Sequence, residues 1–170
     1  MTSRAGRPLA AGAPARPAER PDGGHHFVHA GQLVVAGEAS VLTTIVASCV
    51  SVCLWDRRRR CGGMNHFVLA RAPRTPAPLE RRWTYGDLAV PDLVARLVGL
   101  GSRLPDVEAK LFGGANLLGG QSELGARNAA IAEELLGDMG IPVVARDVGG
   151  RRGRKLLFST ADGGALVRLL

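Results

Sequence analysis

Residues 41–56 read VLTTIVASCVSVCLWD, and this stretch decides the fold class. It is rich in β-branched residues and holds neither Gly nor Pro, so it favours extended chain. Its second half alternates, with Cys49, Ser51, Cys53 and Trp55 on one face and Val50, Val52 and Leu54 on the other, which is the two-residue period of a strand. The arginines Arg57 to Arg60 mark a turn, Gly62-Gly63 invite a bulge just after it, and residues 64–70 return as a second strand.

Working outward, 32–36 is a short strand, 108–112 a third strand closed by Gly113-Gly114, and 142–148 another. Residues 155–160 and 165–170 pair across Ala161-Asp162-Gly163-Gly164, a hairpin signal. The prolines of 71–80 predict a loop. One helix is predicted to begin near Pro91, a favourable first helical position, and to weaken at Gly99 and Gly101. A second covers 122–136, capped by Ser122, with Leu124, Ile131 and Leu135 on one stripe and Asn128 as its single polar member. Strands outnumber helices, which implies an α+β fold with two main helices packed on a mostly antiparallel sheet system.

The chain has 170 residues, enough for one domain. Residues 1–26, rich in Pro, Ala and Arg, are expected to be a disordered tail, and 27–170 a single domain. Residues 9–13 are too short an apolar run for a signal peptide, and no run approaches the ~20 residues needed to cross a bilayer. Three closely spaced cysteines suit a reducing compartment, which makes a cytoplasmic location the expectation. The formal charge of +7 favours acidic partners. Aromatics are not interleaved with the arginines and no nucleic-acid motif occurs, so no nucleic-acid partner is expected.

The candidate nucleophile is Cys49, which needs a base because a free thiol near pH 7 is mostly protonated. His66 is the only histidine well inside the expected fold. A two-residue turn at Arg57-Arg58 would set it directly opposite Cys49, within reach of a thiol–imidazole contact. A turn centred elsewhere changes that register, so spacing permits the dyad without excluding a buried thiol and a buried polar group. Thr43 or Asn65 could orient the imidazole. Cys49, Cys53, Cys61 and His66 are zinc-type ligands, but their spacing lacks a tight knuckle, and packed core is the preferred reading of Cys53. Gly113-Gly114 and Gly149-Gly150 offer turn amides for an anion, against a plain turn role. His25, His26 and His29 read as incidental, and the basic clusters 57–60 and 151–155 as solvated loops or a docking surface for an acidic partner.

Several separated segments, in order, resemble one family. Residues 43–54 (TTIVASCVSVCL) and 62–67 (GGMNHF) look like the signature of CheD, the chemoreceptor glutamine deamidases. Residues 110–116 (KLFGGAN), the Gly-x-Arg-Asn pattern of Gly125, Arg127 and Asn128, and 141–155 (IPVVARDVGGRRGRK) agree as well. The likeness runs from about residue 31 to the C-terminus, with Ala47 where the family usually has Gly.

The resemblance implies a layered α/β/β sandwich similar to the catalytic domain of cytotoxic necrotizing factor. It implies hydrolysis of selected glutamine side chains of methyl-accepting chemotaxis receptors to glutamate, with glutamyl methylesterase activity in some members. By that resemblance Cys49, His66 and Thr43 are catalytic, and no cofactor or metal is expected. Ser48 and Asn65 are the candidates for oxyanion or substrate contacts. A CheC-type phosphatase is a further implied partner. The rival reading is a non-catalytic adaptor that binds receptor or phosphatase.

Overall fold

A computed structural model describes residues 24–75, 78–119 and 121–170. The strands are β1 (Gly24–Phe27), β2 (Gln32–Ala36), β3 (Ser40–Val46), β4 (Val50–Asp56), β5 (Cys61–His66), β6 (Val107–Gly113), β7 (Val143–Val148), β8 (Arg154–Ser159) and β9 (Ala165–Leu169), with helices α1 (Gly86–Gly99) and α2 (Leu124–Asp138). They form two sheets, ordered β1-β3-β8-β9 and β2-β5-β4-β6-β7. Pairing is antiparallel except for β1–β3 and β6–β7. A parallel pair needs a crossover, and α2 supplies the one between β6 and β7.

Strand alternation explains the layering. Val50, Val52 and Leu54 of β4 join Leu93 and Leu97 of α1 and Ile131 and Leu136 of α2 in one buried cluster. Cys53 of the opposite face joins Met64 and Phe112 with Leu42, Val46, Leu156 and Phe158 of the first sheet in another. The order is sheet, sheet, helices: the layered α/β/β sandwich that the family resemblance implies.

The extended run 41–56 is two strands in different sheets, separated by a bend at Ala47-Ser48-Cys49. The turn after β4 spans Arg57 to Arg60, as the four arginines imply, and is closed by the Asp56–Cys61 pair; the two-residue turn that would set Cys49 directly opposite His66 does not form. Buried Asp56 holds it by accepting the N–H groups of Arg58 and Arg59, each at 2.9 Å. Gly62 and Gly63 pair in register with Trp55 and Leu54, so they form no bulge. Helix α1 starts five residues before Pro91, which lies inside it. Burial of Ala89, Val90, Leu93, Val94 and Leu97 outweighs the single backbone bond Pro removes. Ser122 makes no cap on α2, whose buried stripe is Gly125, Asn128, Ile131, Ala132 and Leu136. Residues 24–26, expected in the tail, belong to β1, and the rest of the expected tail lies outside the described residues.

Candidate active site

The bend between the two sheets carries Cys49, and its three carbonyls are held from behind. The Ala47 carbonyl accepts the Ala115 N–H at 2.7 Å, and that of Cys49 accepts the Gly114 N–H at 2.9 Å. The Ser48 carbonyl accepts from Asn128 Nδ2, also at 2.9 Å. Gly113 makes this approach feasible: its φ is 111°, and a Cβ there would overlap the Cys49 carbonyl. The Gly114 amide is therefore spent on the Cys49 bend and does not face an anion. Gly149 donates to the Gly113 carbonyl at 2.9 Å and braces the same corner.

His66 ends β5 and is 6% exposed, while Cys49 is half-buried. Regular β4–β5 pairing stops at Cys53–Met64 and resumes as a bridge between Val50 and Phe67. Cys49 thus lies one step beyond that bridge, diagonal to His66 and not directly opposite it. Diagonal residues on one face of a sheet are roughly 7–8 Å apart, within reach of a longer side chain. Asn65 fills the gap in the ladder: its Oδ1 accepts the Val52 N–H at 2.9 Å. That oxygen is committed to the sheet and does not reach the imidazole, while Asn65 Nδ2 is buried without a partner among the described residues.

The hydroxyl on the imidazole comes from Thr44, where Thr43 was expected. Thr44 Oγ1 lies 2.9 Å from His66 Nδ1 and 2.7 Å from the Val28 carbonyl oxygen. A hydroxyl has one hydrogen, and the carbonyl can only accept, so Thr44 donates to Val28 and accepts from Nδ1–H. That relay puts the proton on Nδ1 and leaves Nε2 with its lone pair, buried and without a partner among the described residues. Thr43, on the other face of β3, meets His25 Nε2 at 2.9 Å instead. Counting inward from Leu42 and Val46 of β3, both core residues, would have singled out Thr44. Counting back from Cys49 fails because the bend resets strand parity.

Burial holds the His66 imidazole below the usual histidine range; the Val28 carbonyl opposes that lowering and His29 adds to it. Burial also raises the Cys49 thiol, partly offset by its own N–H and the Ser48 hydroxyl, which favour thiolate. Both shifts favour the neutral thiol and the neutral imidazole. Burial pushes the Cys53 thiol far above the usual thiol range. Cys61 packs under the helices, apart from Cys49 and Cys53 between the sheets, and among the described residues no three His, Cys, Asp or Glu side chains gather around one point as a metal ion needs. Of the second basic cluster, Arg154 is buried, pairing with Asp147 at 2.8 Å.

A family model described as CheD chemotactic sensory transduction matches residues 69–169. The chain belongs to the CheD family. Among its relatives, "Probable chemoreceptor glutamine deamidase CheD 1" of Anaeromyxobacter dehalogenans is 46% identical over 160 residues, covering 89% of this chain and 90% of that one. "Probable chemoreceptor glutamine deamidase CheD" of Rhodospirillum rubrum is 44% identical over 147 residues, covering 85% and 81%. A CheD of Trichlorobacter lovleyi with the same printed name is 40% identical, covering 84% and 88%. The crystal structure of Bacillus licheniformis hypothetical protein YfiH aligns at TM-score 0.40 and 17% identity, covering 66% of this chain and 48% of that one.

Proposed function

We propose that this CheD-family chain is a cysteine-dependent deamidase that hydrolyses particular glutamine side chains of methyl-accepting chemotaxis receptors to glutamate. The observation that carries the reading is the Val28–Thr44–His66 relay, which leaves Nε2 as a proton acceptor at the end of the strand pair that carries Cys49. His66 Nε2 takes the thiol proton as sulfur attacks the amide carbon, because burial favours the neutral thiol. The developing oxyanion faces the N–H groups of Ser48 and Cys49, because the carbonyls of those same two peptides, Ala47 and Ser48, are turned away by their bonds to Ala115 and Asn128. His66 then protonates the departing ammonia. Water, deprotonated by the same nitrogen, hydrolyses the thioester to glutamate and restores the thiol.

A glutamyl methyl ester would follow the same steps with methanol leaving, and the proposal extends to it. A CheC-type phosphatase is a further proposed partner, on family resemblance alone. A non-catalytic adaptor would not need an imidazole held in one tautomer beside a thiol. The test is a receptor cytoplasmic fragment incubated with wild type and with Cys49→Ala. Each conversion adds about 1 Da and one negative charge, and releases ammonia. Conversion by wild type alone is expected; binding without conversion by either protein would favour the adaptor.

A further inference from the structure

Asn128 sits fully buried on α2, yet its amide does no work for the helix. One Nδ2 hydrogen goes to the Ser48 carbonyl at 2.9 Å and the other to the Val68 carbonyl at 2.8 Å. Ser48 precedes the nucleophile, and Val68 lies just beyond His66 on the neighbouring chain segment, so a single side chain ties together the backbones that carry the thiol and the imidazole. Its Oδ1 is buried without a partner among the described residues. An apolar residue would avoid that unpaired oxygen and fill a core position better, so packing alone does not explain an amide here. The approach is prepared one turn earlier: a Cβ on Gly125 would overlap the Gly114 and Ala115 carbonyls, so glycine lets α2 settle close to the bend.

We infer that Asn128 is a positioning residue for the nucleophile, setting the Ser48–Cys49 backbone at a fixed distance from the His66 strand. This rests on the reading of Cys49 as nucleophile. The amide acts through geometry: with the Ser48 carbonyl held, the Cys49 N–H of the same peptide stays turned toward the reacting carbonyl. Asn128→Leu keeps the volume and removes both donors; Asn128→Ser, too short to bridge two carbonyls, serves if Leu prevents folding. Ile131→Ala, on the same buried stripe, controls for lost helix packing. Deamidation of a receptor fragment is measured with the rate and pH dependence of Cys49 alkylation by iodoacetamide.

The expected result is a fall of about tenfold or more in kcat with KM within about twofold. The alkylation profile should shift to higher pH, because the Ser48 hydroxyl no longer stays fixed on the sulfur. Ile131→Ala should lose thermal stability and retain both the alkylation profile and kcat. Unchanged kcat and alkylation in a folded Asn128 variant, beside an inactive Cys49→Ala, would overturn this inference alone. An active Cys49→Ala would overturn the nucleophile reading and this inference with it.

Discussion

Thr43 and Thr44 are adjacent and chemically identical, yet strand alternation sends them to opposite faces of β3. Only Thr44 holds His66. Thr44→Val should lower kcat at least about tenfold by freeing the imidazole to choose the wrong tautomer. Thr43→Val should leave kcat within about twofold, and steady-state deamidation of both variants checks the pair. The acid limb of kcat/KM should fall below the ordinary histidine value of about 6.5, because burial disfavours the imidazolium. Stability follows from the same lowering. Between the folded and unfolded values the unfolded chain binds more protons, so stability declines as pH falls from about 6.5 through the folded value. Unfolding midpoints of wild type should drop more steeply over that window than those of His66→Gln.

At the scale of elements, several strands were legible and the bend was not. The alternation of 50–56 and the turn chemistry around 161–164 predicted strands that the structure places within a residue or two, and 32–36 is β2 as read. The run 41–56 lacks Gly and Pro, so nothing local announces that it leaves one sheet for the other at Ala47. Tertiary bonds from Gly114, Ala115 and Asn128 hold that corner, and their donors lie more than sixty residues away. For the same reason the Cys49–His66 pairing was permitted by the sequence but its register was not, since four arginines can close a hairpin in more than one way. The glycines at this corner are steric requirements. Gly125→Ala should push α2 off the Gly114 turn, and deamidation should fall at least about tenfold even where circular dichroism reports an intact fold. Gly137→Ala, with nothing within 4 Å of its added Cβ, should be neutral or mildly stabilising.

At the scale of the whole molecule, the candidate site draws Val28, Thr44, Cys49 and His66 from four separate segments of the chain. The α+β class was readable from the balance of strands and helices, while the layering and the candidate residues Cys49 and His66 came with the family resemblance. The tautomer relay was not, because it depends on a hydrogen bond from one sheet to the other. Among the described residues, no helix is long and apolar enough to cross a membrane. The net charge of +7 should steer association with an acidic receptor surface. Its on-rate should fall several-fold between about 50 and 300 mM salt in stopped-flow binding, while the off-rate changes little. The most direct test of Cys49 as nucleophile is residual deamidase activity against the fraction of Cys49 alkylated in the native protein. Cys53 and Cys61 are buried and should remain unmodified, as peptide mass spectrometry would check. Activity should fall in proportion to Cys49 labelling and reach zero when labelling is complete; full activity in completely labelled protein would contradict the account.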